Sequence, residues 1–295
     1  MWTVRSRRPL PTVEGVGPEG SEWVYAWSRC ALMGIVNVTP DSFSDGGLHA
    51  EAAAAIEHGR RLVTEGAVIV DVGGESTRPG AVGVTEGDEL DRVLPVVEAL
   101  ARDGSALVSI DTRKPAVARA AVLAGAHLVN DVSGLRDPAM VEVCATLGVP
   151  AVVVHMRGDP VDMQLDPRYD DVVVEVVDWL HERADHALAA GVPSVMIDPG
   201  IGFGKTIEHN LALLRALPLS QRFPVLVGAS RKGSIRHLAG VDDPGASDIA
   251  SVAAHLFAAQ RGAAVVRVHD VAAHRQAFAI DQALRIGARV PAPDG

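Results

Sequence analysis

The chain has 295 residues, 48% of them hydrophobic and 22% charged, enough to bury a large core in one α/β barrel or two smaller domains. Its formal net charge of -10, with no run rich in lysine and arginine, excludes a nucleic-acid partner, whose phosphates need clustered cations. Cys30 and Cys144, the two cysteines, have neither metal-ligand spacing nor the density of a disulfide scaffold, so a reducing, cytoplasmic location is expected. No membrane association is expected either, because no apolar run reaches the roughly 18–20 residues that cross a bilayer and Met1 to Leu10 has arginines with no apolar segment after them.

Residues 1–28 lack sustained periodicity, yet they hold Trp2, Trp23 and Trp27 of the four tryptophans, and they read as a partly ordered N-terminal extension, part of which docks. Eight apolar, β-rich runs follow, over 31–38, 68–72, 106–110, 127–132, 151–156, 194–197, 225–229 and 265–268. Between them lie alanine- and leucine-rich segments of helical periodicity, among them 50–65, 86–102, 115–124, 169–190 and 249–261. Nearly uniform apolarity is expected of strands buried on both faces. Eight regular units predict an α/β fold, a single (β/α)8 TIM barrel over 29–286 with a short N-terminal arm and a tail at 287–295; a doubly wound open sheet is the alternative, and the regularity favours closure.

A barrel keeps its chemistry at the carboxyl ends of its strands, so the residues at those ends are the test. The first run breaks at Asn37 into a polar loop, Val38-Thr39-Pro40-Asp41-Ser42-Phe43-Ser44-Asp45-Gly46-Gly47. The second leads through Asp71 into Gly73-Gly74-Glu75-Ser76-Thr77-Arg78-Pro79-Gly80, and the third ends in Asp111-Thr112-Arg113. Asn130-Asp131, His155-Met156, Asp198-Pro199-Gly200, Ser230-Arg231-Lys232 and Arg267-Val268-His269-Asp270 complete the ring. A polar group buried without a partner costs roughly 1–3 kcal/mol, and convergence on one pocket explains why every strand end carries one.

Other sites are disfavoured. His155, His209, His255 and His269 lack any HxH or HExxH spacing for zinc, and Ser230 lacks the G-x-S-x-G context of a hydrolase nucleophile. Gly200 to Thr206 has three residues, where a P-loop needs four, between the first glycine and Gly-Lys-Thr.

From about Ala31 to about Phe278 these motifs, in this order, resemble the signatures of the dihydropteroate synthase family. The resemblance implies a transferase that joins 6-hydroxymethyl-7,8-dihydropterin diphosphate to p-aminobenzoate, releasing pyrophosphate and 7,8-dihydropteroate in folate synthesis. It implies that Asp111, Asn130 and Asp198 read the pterin edge, with Asp198 accepting from the 2-amino and N3 groups, and that Met156 belongs to the substrate site. Asn37 would hold Mg²⁺ and, with Arg267 and His269, neutralise the departing pyrophosphate. C–O cleavage would precede amine attack, giving a transient pterin carbocation. Two loops, with Asp41, Phe43 and Asp45 on one and Thr77, Arg78 and Pro79 on the other, would close over the site. Phe203, Ser230 and Lys232 would complete the aminobenzoate pocket, Lys232 also contacting the pterin, and the enzyme would be a homodimer.

The chain departs from the family pattern at Ser247-Asp248-Ile249-Ala250-Ser251 and at Gly233-Ser234, where effects on helix packing rather than on activity are expected. Two alternatives share the barrel. A methyltetrahydrofolate:corrinoid methyltransferase does not need the Thr77-Arg78-Pro79 and Ser230-Arg231-Lys232 elements, and a catalytically silent pterin-binding paralogue would be expected to lose Asn37, Arg267 or His269, all of which are present.

Overall fold

The computed structural model describes residues 1–39, 47–76, 83–159 and 161–286. Three strands, β1 (Trp2–Ser6), β2 (Val16–Glu19) and β3 (Glu22–Trp27), precede the repeating part of the chain. That part runs β4 (Ala31–Asn37), α1 (Gly47–Glu65), β5 (Ile69–Gly73), α2 (Glu86–Asp103), β6 (Leu107–Asp111), α3 (Pro115–Leu123), β7 (Leu128–Asp131) and α4 (Pro138–Leu147). It continues with β8 (Ala151–Val154), α5 (Val172–Ala189), β9 (Val195–Asp198), α6 (Ile207–Arg215), β10 (Leu226–Val227), α7 (Gly233–Ala239), α8 (Asp248–Gln260), β11 (Val265–Val268) and α9 (Val271–Ile286).

Among the described residues, eight parallel strands pair in the order β10-β11-β4-β5-β6-β7-β8-β9, and a bridge between Ile197 and Val225 joins the last to the first. The eight apolar runs of the sequence are these strands, and the fold is the expected TIM barrel. The seventh unit carries two helices, α7 and α8.

Two apolar layers follow from the period-two alternation of a strand. Val70, Val72, Val108, Ile110, Val129, Ile197 and Val266 point outward into the layer shared with the helices. Met33, Ile69, Leu107, Leu128, Val152, Met196, Leu226 and Val265 point inward and fill the barrel. The same parity carries polar residues into the lumen further along: Asp71 is two residues after Ile69, Asn130 two after Leu128, Asp198 two after Met196, Arg267 two after Val265, and Asp111 four after Leu107. The apolar plug therefore ends where the polar layer begins.

The N-terminal arm closes the other end. Its strands form an antiparallel sheet, ordered β1-β3-β2, in which Trp2 pairs with Trp27 and Glu19 with Glu22 across a two-residue turn. Val4, Leu10, Tyr25 and Trp27 join the inner apolar layer. Tyr25 stacks on Trp27 at 4.7 Å, and the Trp27 indole N–H donates to the Ala264 carbonyl at 2.9 Å, just before β11. The Arg7 amide donates to the Gly148 carbonyl at 2.8 Å, before β8, and the Arg5 amide to Ser194 Oγ at 2.9 Å, before β9. All these acceptors lie at the amino ends of barrel strands, so the arm covers the face opposite the polar layer. Periodicity did not reveal this sheet because its strands are four to six residues long and are separated by glycine- and proline-containing segments.

Cys30 and Cys144 are free thiols, and burial pushes each up to about 12. Among the described residues, no helix is long and apolar enough to cross a membrane.

Because Trp27 seals the lumen far from the polar layer, Trp27→Ala should destabilise the fold by about 3–5 kcal/mol in denaturant titration, with turnover per folded molecule unchanged. A loss below about 1 kcal/mol would show that the arm is not a structural cap.

Candidate active site

At the carboxyl ends of the strands lies a cavity of about 820 Å³. Of the residues assigned from the sequence, Asn37, Asp111, Asn130, Asp198, Phe203, Ser230, Lys232, Arg267 and His269 all line it. Met156 does not: its side chain is 1% exposed in the inner apolar layer beneath the cavity, and Met163 contributes to the wall instead. Asp41, Phe43, Asp45, Thr77, Arg78 and Pro79 lie outside the described residues.

The polar layer is organised around Arg267. Its Nε donates to Asp71 Oδ2 and its Nη2 to Asp111 Oδ2, each at 2.6 Å, so two carboxylates from neighbouring strands fix both edges of one guanidinium. Asn130 Nδ2 also donates to Asp71 Oδ2, at 3.0 Å. This arrangement settles the amide orientation and leaves Asn130 Oδ1, like Asp71 Oδ1, buried with no partner among the described residues. Asp71 is the organiser that motif reading underrated. Its signal is a lone carboxylate inside the apolar run Ile69-Val70-Asp71-Val72, where a buried charge needs a cation.

The charges respond to this setting. Burial opposes the Arg267 charge, but Asp71 and Asp111 more than offset it and hold its pKa above the ordinary guanidinium value. Burial pushes Asp111 up to about 7, against the pull of Arg267 and with a further push from Asp71 and Glu89. Asp198 rises to about 6, again chiefly through burial, although it accepts the Gly200 N–H at 2.7 Å and faces Lys232, Lys205 and Arg267.

Lys205, another residue the motifs did not assign, is 3% exposed, and burial lowers it to about 7. Its Nζ donates to the carbonyls of Phe203 at 2.9 Å and Gly200 at 3.1 Å and to His155 Nδ1 at 2.9 Å, tying the loop after β9 to the end of β8. Gly200 sits at φ +64, and a Cβ there would meet the His155 carbonyl oxygen at 1.8 Å, so only glycine fits. Phe203, held by this loop, lies 3.7 Å from Lys232 Nζ in a cation–π contact.

The turn after β10 brings two of the departures from the family pattern into contact with the cavity wall. Arg231 adopts φ +57, an unfavourable conformation for a side chain of its kind, between the two pocket residues Ser230 and Lys232. It is held there from α8: Asp248 accepts Arg231 Nε and Nη2 at 2.8 Å each, and Ser251 Oγ accepts the Arg231 N–H at 3.0 Å. Asp248 and Ser251, expected to matter for helix packing alone, thus hold a wall of the cavity. Gly233 and Ser234 line the same wall. At its edge Ser230 Oγ and His269 Nδ1 are 2.9 Å apart.

Glu75, two residues after β5, lines the cavity and is bound by Lys114 and, at 3.1 Å, by Arg113. Lys114 also donates to Glu89 at 2.5 Å. Among the described residues, no cluster of three or more His, Cys, Asp and Glu is arranged to hold a metal.

Comparison with known proteins agrees with this geometry. Residues 33–269 match the family model described as pterin binding enzyme. The chain is 46% identical over 244 residues to the dihydropteroate synthase of Escherichia coli K12, covering 81% of this chain and 86% of that one. It is similar to the Xanthomonas albilineans dihydropteroate synthase solved with 4-aminobenzoic acid, at 51% identity and a TM-score of 0.83, covering 89% and 94% of the two chains. For the structure of that enzyme with 7,8-dihydropteroate the figures are 47%, 0.81, 91% and 97%.

Removing the Asp248 carboxylate should release Arg231 and loosen Ser230 and Lys232. Asp248→Ala is expected to lower kcat/KM by about tenfold or more, the scale of displaced site groups, with the fold retained. Unchanged kinetics would return Asp248 to a packing role.

Proposed function

Since the chain belongs to the pterin-binding enzymes, and within them to the dihydropteroate synthases, we propose that its cavity joins 6-hydroxymethyl-7,8-dihydropterin diphosphate to p-aminobenzoate, releasing pyrophosphate and 7,8-dihydropteroate. The observation that carries the reading is the polar layer itself. Asp111, Asn130 and Asp198 bring hydrogen-bonding side chains to one cavity, and a dihydropterin edge presents matching groups.

Asp198 gives one oxygen to Gly200 N–H and keeps the other for the pterin 2-amino and N3 groups. Arg267, fixed by Asp71 and Asp111, stands beside the ring as a permanent cation, and His269 lies on the same strand end. Together they meet the charge that develops as the C–O bond breaks and its electron pair leaves with pyrophosphate. The methylene carbon becomes cationic, and the aminobenzoate nitrogen, held near Phe203, Ser230 and Lys232, attacks it and then loses a proton. A silent paralogue would lack leaving-group residues, whereas Asn37, Arg267 and His269 all line the cavity.

We assign Mg²⁺ to Asn37. One neutral amide oxygen at a strand end suits a hard cation that retains water and takes its other ligands from a substrate diphosphate, in keeping with the lack of an all-protein cage among the described residues. When bound, the ion would supply further charge neutralisation to the diphosphate. Chelation should reduce turnover and added Mg²⁺ should restore it.

A homodimer formed across α8 and α9 would cover Ile249, Phe257, Ile280 and Leu284, which are exposed on these adjoining helices. Light scattering should then read twice the chain mass. Two free, unreactive thiols fit a cytoplasmic location, which cell fractionation would check.

Purified protein given dihydropterin diphosphate and Mg²⁺ should release pyrophosphate and form dihydropteroate only when p-aminobenzoate is added; pterin binding without product would contradict the synthase reading. The raised Asp198 pKa also sets a pH dependence. The group must be ionised to accept two N–H donors, so kcat/KM for the pterin substrate should fall by about tenfold per pH unit below about 6. A flat profile from pH 5 to 8 would remove Asp198 from that role.

A further inference from the structure

Behind the wall formed by Ser230 and His269 lies a buried pair of histidines that the reaction scheme does not use. His255 on α8 and His274 on α9 are both fully buried, with His255 Nδ1 and His274 Nε2 2.8 Å apart. The Ala229 backbone N–H donates to His255 Nε2 at 2.9 Å. At the other end His274 Nδ1 lies 2.5 Å from the Asp270 backbone carbonyl.

These contacts assign the protons, with the Ser251 backbone carbonyl as a further acceptor for the His274 ring. An amide can only donate, so His255 Nε2 is an acceptor and its hydrogen is on Nδ1. That hydrogen points to His274 Nε2, which must therefore accept, leaving the His274 hydrogen on Nδ1 to meet a carbonyl that can only accept. A second proton on either ring would set two N–H groups against each other. Both rings are neutral, in the same tautomer, and the chain runs in one direction from Ala229 to Asp270.

The endpoints give the chain a purpose. Ala229 immediately precedes Ser230, and Asp270 immediately follows His269. The two pocket residues meet directly, since Ser230 Oγ lies 2.9 Å from His269 Nδ1 and accepts the His269 backbone N–H at 3.3 Å. Two short links thus join the ends of β10 and β11, one in the cavity and one behind it. β10 has only two residues in the sheet, so its end has little ladder to hold it. His255 also lies four residues after Ser251 and seven after Asp248, on the face of α8 that holds Arg231.

We propose that His255 and His274 are positioning residues for the reaction, a directed hydrogen-bond chain that holds Ser230 and His269 at the spacing the aminobenzoate and diphosphate groups require. Neither histidine touches substrate. The proposal rests on the synthase reading for the identity of the substrates, and the hydrogen-bond chain itself can be tested without them.

Nitrogen-15 correlation spectra of the intact, histidine-labelled protein should show both rings neutral with the hydrogen on Nδ1, and both should shift when pyrophosphate binds. A hydrogen on Nε2 of either ring, or no response to pyrophosphate, would overturn the proposal whatever the catalytic result. In kinetics, His255→Leu and His274→Leu should each lower kcat/KM for p-aminobenzoate by about ten- to a hundredfold, the scale expected of displaced reacting groups. His255→Gln, which keeps an acceptor for Ala229 and a donor for His274, should recover to within about threefold. Affinity for 6-hydroxymethyl-7,8-dihydropterin without its diphosphate should change by less than about twofold, because the groups that read the pterin edge, Asp111, Asn130 and Asp198, lie on β6, β7 and β9 and Arg267 is held separately by Asp71 and Asp111. Leucine variants that melt earlier but keep kcat/KM within about threefold would show a packing role and refute the proposal. Should they fail to fold, the glutamine variant and the spectra decide it. A parent protein with no synthase turnover would sink the functional reading while leaving the spectroscopic test in force.

Discussion

The structure depends on the buried ion pair that Arg267 makes with Asp71 and Asp111. A guanidinium brought into a barrel lumen must be matched by carboxylates already in place, and β5 and β6 supply them at 2.6 Å on either edge. The same Asp71 oxygen orients Asn130 on β7, so residues from four strands share one polar core. Breaking such a cluster leaves an uncompensated charge, at a cost of about 3–5 kcal/mol when one partner is removed. That cost keeps the cation rigid, and a rigid cation needs no reorganisation when charge develops on a leaving group.

Stability and chemistry occupy opposite ends of the barrel. The N-terminal sheet closes the lower end with Val4, Leu10, Tyr25 and Trp27, continuous with the apolar layer inside. The upper end is held by polar links to the cavity residues: Lys205, itself in the lining, for the loop bearing Phe203, Asp248 and Ser251 for the turn between Ser230 and Lys232, and His255 with His274 for the ends of β10 and β11. Residues with no part in the reaction scheme therefore determine where the cavity's side chains sit.

Much of this was legible in the sequence because barrels obey a simple parity. Ile69-Val70-Asp71 and Val265-Val266-Arg267 each place an apolar residue and then a charged one on the inward face, so the strand-end polar residues converge once the sheet closes. Asn37, Asp111, Asn130, Asp198, Phe203, Ser230, Lys232, Arg267 and His269 were found this way or through the family motifs, and all line the cavity. Met156, two residues past the end of β8, turns into the inner apolar layer rather than lining the cavity. The positioning contacts of Asp248, Lys205 and the histidine pair are not legible in the sequence, because they join residues distant along the chain, such as Arg231 with Asp248 and Ala229 with His255. No local pattern encodes these contacts. The arm was missed as a sheet because it completes its apolar face only against the barrel.

The central claim is that Asp71 places Arg267 for departure of the leaving group. The most direct test is the single-turnover rate of pyrophosphate release by Asp71→Asn, measured beside its affinity for dihydropterin diphosphate. The asparagine keeps the shape but removes the charge that fixes the guanidinium. The account predicts a rate loss of about a hundredfold or more with affinity reduced by less than about tenfold. Release at the parent rate from a folded variant would contradict it.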